Sequence, residues 1–230
     1  MRLQAYKTFV KSRMPFVYTS YLQMRDAFPS RIFTKIYREN GWTSISGRGS
    51  TLDQTEIIRR EISTLIVDLG IKTILDIPCG NHAWMGQVNL EGCKYIGADI
   101  VRDLISRNSR QYGRMDKEFV VLDLTVDPLP SVDLIICRDC LVHCSFALIS
   151  KALRNVRASR SKYFLTTTFP ARERNEDIKT GGWRPLNFRV FPFNFPEPVL
   201  LINEQCTEAD GAYADKSLAL WRVVDIPLTG

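Results

Sequence analysis

Four short apolar runs, each ending in an acid, constrain this chain more than anything else in it. Residues 73–77 run into Asp76-Ile77-Pro78-Cys79-Gly80-Asn81-His82, 94–98 into Asp99-Ile100, 118–122 into Asp123-Leu124, and 132–137 into Arg138-Asp139-Cys140. The acids follow one another at 23, 24 and 16 residues, so each pair is separated by a crossover rather than a tight hairpin. Further apolar runs cover 162–168, 199–206 and 218–226, and helical stretches fit at 83–88 (short), 101–112 and 146–158. Strand–helix alternation predicts a parallel, doubly wound α/β sheet. Asp210-Gly211 between the last two runs predicts a hairpin, which makes the final strand antiparallel. The expectation is seven strands, six parallel and the last antiparallel, with helices on both faces.

Ligands of doubly wound sheets bind at the carboxyl edge, and the acids lie there. Carboxylates repel phosphate and suit hydroxyls, amines and cations. A dinucleotide site needs Gly-x-Gly-x-x-Gly so that backbone can approach a pyrophosphate; the first turn here has the single glycine Gly80. The pattern points to a nucleoside with a positive centre and no phosphate.

The regions flanking this body differ from it. Residues 1–40 hold eight Lys or Arg and two acids, which accounts for the whole net charge of +6. They read as a basic helical arm interrupted near Pro15 and Pro29, followed by a single body at 41–230 that is electrically neutral. A helix is predicted from caps at Ser50 or Thr51, with Thr51-x-x-Gln54 as a capping box and Gly70 as its end. Residues 169–198 carry five of the eleven prolines, which rules out a long helix and predicts a lid.

Taken together, the order of these motifs resembles the class I, Rossmann-like S-adenosylmethionine-dependent methyltransferases over residues 46–226. The resemblance implies that Asp76, Pro78, Cys79 and Gly80 wrap the methionine part of the cofactor, that Asp99 with Ile100 takes the ribose hydroxyls, and that Asp123 with Leu124 sits beside the adenine. It also implies that Arg138 and Asp139 face the methyl group. The family usually has a second glycine where this chain has His82, which lets His82 project toward the ligand. In this fold a preceding helix closes over the cofactor, so Ser46, Arg48, Ser50 and Gln54 are candidates to hold its carboxylate.

For a hydroxyl acceptor a general base is expected. The chain has two histidines, His82 and His143, both at strand ends. His143 is the candidate base, with Asp139 as the alternative base or its orienter. Cys137-x-x-Cys140-x-x-His143-Cys144 lacks a second ligand pair for zinc, so no metal is expected; a divalent ion on acids such as Asp139 is possible but not favoured. Trp183, Arg184, Asn187, Asp215 and Lys216, with His82, are the candidate acceptor-binding residues, and an aromatic platform with mixed polar groups suggests O-methylation of a sugar, a glycan or another small molecule. RNA or protein methylation and a non-catalytic cofactor-binding scaffold are the alternatives; the neutral body disfavours nucleic acid.

No apolar run approaches a membrane span, and the sparse cysteines fit a soluble cytoplasmic protein. The basic arm leaves an anionic membrane surface, an acidic partner or a targeting role open. Oligomeric state does not follow from the residues.

Overall fold

The computed structural model describes residues 29–39 and 48–228. The arm before residue 29, its expected break at Pro15, and Ser46 lie outside them. The strands are β1 (Thr73–Asp76), β2 (Lys94–Asp99), β3 (Lys117–Val121), β4 (Leu134–Cys137), β5 (Tyr163–Thr168), β6 (Leu200–Asn203) and β7 (Ser217–Arg222). They form one sheet in the order β3-β2-β1-β4-β5-β7-β6. All neighbours from β3 to β5 pair in parallel, and β7 runs antiparallel to both β5 and β6. This is the expected α/β architecture, with the strand order reversing between β1 and β4.

The helices are α1 (Pro29–Arg38), α2 (Glu56–Asp68), α3 (Arg102–Tyr112) and α4 (Phe146–Ala158). Strand side chains alternate between two cores. Ile74, Leu134, Ile136 and Leu165 meet Ile58, Ile62 and Leu65 of α2 and Ile105 of α3. Leu75, Ile135, Cys137 and Phe164 meet Leu148, Ile149, Leu153 and Val156 of α4 on the other face. Gly70 ends α2 with φ +59°, while the N–H of Ile71 donates to the Ile66 carbonyl (2.9 Å) and that of Gly70 to Val67 (3.1 Å). That bonding needs a left-handed residue and explains the glycine.

Three local expectations are corrected. The helix at 83–88 is one 3-10 turn, Met85–Gln87. The capping box does not form: α2 begins at Glu56, the Thr55 hydroxyl donates to the Thr51 carbonyl (2.8 Å), and Gln54 bonds Thr207 instead. The β6–β7 connection is antiparallel as expected but spans residues 204–216, with Asp210 and Gly211 in a 3-10 turn at positive φ.

The proline-rich segment takes the place of a crossover helix after β5. Phe188, Phe193 and Phe195 pack with Trp221 of β7, with ring centroids 5.0 Å apart for Phe188–Phe193 and Phe195–Trp221. These rings are core, which fits the way prolines exclude a helix but leave aromatic burial available. Phe188 is fully buried, so Phe188→Ala is expected to cost about 3–5 kcal/mol in urea unfolding; a loss below about 1 kcal/mol would show that the segment is not part of the core.

α1 does not stand apart as a solvated arm. Pro29, Phe33 and Tyr37 recur every four residues and so share one face, which lies over the carboxyl edge of the sheet. Ile32 and Ile36 approach Gly181 so closely that an added Cβ there would sit 2.8 Å from Ile32. Arg38 pairs with Asp103 at 3.0 Å. No helix among the described residues is long and apolar enough to cross a membrane.

Candidate active site

The loops after β1, β2, β3 and β4 converge where the strand order reverses, and they enclose a cavity of about 610 Å³ roofed by α1. Its size lies in the range of small-molecule sites.

The loop after β1 supplies Pro78, Cys79, Gly80 and Asn81 to the wall. The amide of Asn108 on α3 donates to the Gly80 carbonyl at 2.7 Å, and Cys79 N–H donates to Ala98 at 2.8 Å. Asp76 does not reach the cavity; it is buried beneath the loop. There the Tyr95 hydroxyl donates to its Oδ2 at 2.6 Å. With that proton committed, Tyr95 accepts from His82 Nδ1 (3.1 Å), and His82 Nε2 accepts from the Lys117 ammonium (3.1 Å). A polarised chain thus runs from Lys117 to Asp76 through two neutral side chains. Burial pushes Asp76 up to about 7, against the Tyr95 bond, and pushes His82 down to about 3, with Lys117 adding to it.

His82 is therefore buried behind the loop and does not line the cavity. Its φ is +59°, so the backbone keeps the left-handed path that a glycine would take. Its ring turns away from the cavity into a nest of Tyr95, Tyr112 and Phe119, with centroids 5.0–5.1 Å away.

Asp99 ends β2 with its side chain buried at the cavity wall. Burial raises its pKa to about 6, while backbone N–H groups, including that of Val101 at 3.0 Å, favour the carboxylate. Ile100, Val101, Leu104, Leu122 and Leu124 form an apolar slot beside it. Asp123 also lines the cavity and holds its own turn, accepting from the Thr125 N–H (2.9 Å) and hydroxyl (2.6 Å).

β4 ends in a cluster of four charges. Arg138 grips Glu204 through Nε (3.1 Å) and Nη2 (2.6 Å), and Nη2 also reaches the Gly49 carbonyl at 2.8 Å. Lys216 lies 2.7 Å from Asp139 and 3.5 Å from Glu204. Asp139 sits at φ +51°, an uncommon and costly conformation for a residue with a side chain, held by its N–H donating to Thr167 Oγ1 at 2.8 Å. Burial would raise the Asp139 pKa, but Lys216 and Arg138 hold it well below the usual carboxylate range. So acidic a group is a poor proton acceptor. Asp139 is anchored in this cluster by Lys216, Arg138 and Thr167.

His143 lies in the turn after β4 and lines the same cavity. Its Nδ1 is 2.7 Å from the Gly182 carbonyl, so the neutral ring carries its proton there and its lone pair on Nε2. Burial lowers its pKa, against the Gly182 bond and Asp139. The ring is neutral at pH 7 and has the form a base needs.

Of the acceptor candidates, Trp183 and Lys216 face the cavity, as do Arg48 at its rim and Arg138 from the cofactor set. Arg184, Asn187 and Asp215 do not, and neither does Gln54. Arg184 donates to the carbonyls of Glu176 (3.1 Å), Leu141 (3.0 Å) and Cys144 (2.7 Å), which makes it a brace for the turn that carries His143. The Asn187 amide donates to Pro170 (3.2 Å) and Arg172 (2.9 Å), and Asp215 accepts from the Ala171 N–H (3.0 Å). The segment has no sheet or helix ladder, so these side chains satisfy its backbone. Sequence reasoning missed Phe33, Tyr37, Trp84, Glu204 and Glu208. Only the four-residue spacing of Phe33 and Tyr37 was a readable signal. Among the described residues, no three His, Cys, Asp or Glu side chains are grouped to hold a metal ion.

No family model matches this sequence, and no curated protein does. Solved structures do match. The 1,6-didemethyltoxoflavin-N1-methyltransferase of Burkholderia thailandensis, with 1,6-didemethyltoxoflavin and S-adenosylhomocysteine bound, aligns over 87% of this chain and 89% of its own at 15% identity and a TM-score of 0.59. Human N-acetylserotonin methyltransferase, in complex with SAM, aligns over 93% of this chain and 68% of its own at 16% identity and a TM-score of 0.56. The chain has the Rossmann-like fold of class I S-adenosylmethionine-dependent methyltransferases.

Proposed function

We propose that this protein is an S-adenosylmethionine-dependent methyltransferase acting on a hydroxyl of a small molecule. The observation that carries the reading is that one cavity gathers the Gly80 loop, the buried Asp99 carboxylate, the apolar slot at Leu122 and Leu124, and a neutral His143. These groups fit the donor in order. The loop backbone and Arg48 suit the amino-acid end, Asp99 accepts from the ribose hydroxyls, and the slot takes the flat base beside Asp123. When bound, S-adenosylmethionine supplies an already activated methyl group, so the protein's task is mainly positioning. Arg138 is fixed by Glu204 and by the Trp84 ring 5.4 Å away, which keeps the floor of the cavity rigid. Nε2 of His143 takes the acceptor's proton, and Arg184 and Gly182 hold that ring in place.

A base beside the cavity favours chemistry over a scaffold role. Of the groups that suggested a sugar or glycan acceptor, only Trp183 and Lys216 face the cavity, and Lys216 is already paired with Asp139 and Glu204. The six cysteines are not joined in disulfides, which supports an intracellular setting. Residues 1–28 hold five basic residues against Asp26, which supports contact with an anionic membrane surface or an acidic protein.

Calorimetric titration of S-adenosylhomocysteine tests the reading. Binding is expected for the wild type, and Asp99→Ala should weaken it about 10- to 100-fold, the loss of hydrogen bonds to a charged group. Affinity should fall as pH drops through about 6, because Asp99 is then protonated. No heat from the wild-type protein would refute the proposal.

A further inference from the structure

We infer that the acceptor is a flat aromatic molecule that presents a phenolic hydroxyl to His143 and is neutral or cationic rather than anionic. This rests on the methyltransferase reading above. Past His143 the cavity is walled by Phe169, Trp183 and Tyr213. Their centroids lie 6.1 Å (Phe169–Trp183), 6.0 Å (Phe169–Tyr213) and 4.8 Å (Trp183–Tyr213) apart, with planes steeply inclined. At those separations the rings fill the space between one another. They form a continuous wall rather than a cage, and Trp183, 41% exposed, offers its surface to a planar partner.

The polar groups at this end are already engaged. Asp139 is bound by Lys216 and Thr167, Lys216 by Asp139 and Glu204, and His143 Nδ1 by Gly182. A polyhydroxylated acceptor would leave several of its own groups without partners in such a site, which is costly. A phenol brings one hydroxyl to one base.

The base also selects. A phenol ionises near pH 10, whereas an aliphatic hydroxyl lies closer to water at 15.7. The buried imidazole has less than its ordinary basicity, so it matches the phenol far better. In the step, the hydroxyl proton passes to Nε2 as the oxygen bonds the methyl carbon. The carbon–sulfur bond breaks with its electron pair left on sulfur, giving the ether, the neutral thioether and an imidazolium that returns its proton to water.

Charge sets the last preference. Arg138 and Lys216 are balanced by Asp139 and Glu204. Glu208 adds a further carboxylate to the wall, with no cation in ion-pair contact among the described residues. An ammonium on the acceptor is attracted there and a carboxylate repelled.

The test uses the full chain saturated with S-adenosylhomocysteine for calorimetric binding, and radiolabelled S-adenosylmethionine for transfer. The probes are tyramine, 4-hydroxybenzoate and methyl β-glucoside. Tyramine is expected to bind and to be methylated, 4-hydroxybenzoate to bind at least about tenfold more weakly, and the glucoside to do neither. Trp183→Ala should weaken tyramine up to about tenfold without moving the Kd for S-adenosylhomocysteine, and Glu208→Gln should narrow the gap between the two phenols. Methylation of the glucoside alone, or tyramine binding unmoved by both variants, overturns the inference. If S-adenosylhomocysteine binds but neither phenol does, the acceptor class fails and the methyltransferase reading stands. If S-adenosylhomocysteine itself does not bind, both fail.

Discussion

Replacing His143 with alanine is expected to lower kcat by about 10²- to 10⁴-fold, the span of a positioned general base, while the Kd for S-adenosylhomocysteine stays unchanged. The side chain lines the cavity, its Nδ1 proton is committed to the Gly182 carbonyl, and its lone pair is on Nε2. The pH profile gives the sharper reading. A base must be neutral to work, so wild-type kcat should rise with pH along the imidazole's deprotonation and then level off. Burial lowers this pKa, so the limb lies below the ordinary 6.5. The variant should lose that limb and follow only the acceptor's own ionisation. An alanine variant with wild-type kcat and an unchanged acid limb would remove His143 from the mechanism. Arg184 offers a control of a different kind, since it touches the carbonyls on either side of the His143 turn and not the cavity. Its loss should lower kcat and shift the limb to higher pH, because the Arg184 charge is one of the groups that hold the His143 pKa down.

The fold was legible because its signals are local. Each parallel strand is a short apolar run, and each acid stands at a run's end, so strand number, polarity and the functional edge follow from spacing alone. The residues that the family resemblance implied for the donor, Pro78 to Gly80, Asp99, Ile100, Asp123 and Leu124, all line the one cavity at that edge. Errors arose where a side chain's partner is distant in sequence. His82 occupies a turn position shared with ligand-binding residues, but its direction is decided by Tyr95, Tyr112 and Phe119. Arg184 and Asn187 have the chemistry of ligand-binding groups, yet an irregular segment needs just such groups to satisfy its own carbonyls. Gln54 fits a capping box by spacing and is drawn instead to Thr207, 153 residues away. α1 was hidden by its charge: the basic residues suggested an arm, while Pro29, Phe33 and Tyr37 already marked an apolar face, which lines the cavity.

Glu204 should show the other large effect. It was not evident from sequence because its partner Arg138 is 66 residues distant, on another strand's end. The two side chains are 1% and 3% exposed and bonded through two contacts. A guanidinium cannot shed its charge when its partner is removed. Glu204→Ala would therefore leave a buried cation whose remaining partners among the described residues are Asp139 at 3.4 Å, the Gly49 carbonyl and the Trp84 ring, and should cost about 3–5 kcal/mol in urea unfolding. Replacing both members, Arg138→Met with Glu204→Leu, should recover most of that loss, because the cost comes from the orphaned charge rather than from the missing attraction. A single variant within about 1 kcal/mol of wild type would contradict this. The same charge count reaches the ligand. With Glu204 present the two cations and two acids cancel; without it the floor of the cavity carries a net positive charge. S-adenosylmethionine bears one more positive charge than S-adenosylhomocysteine, so Glu204→Ala should weaken the donor more than the product. The ratio of the two Kd values, measured at a temperature where the variant is folded, isolates that electrostatic effect from the loss of stability, since a purely structural defect would weaken both alike.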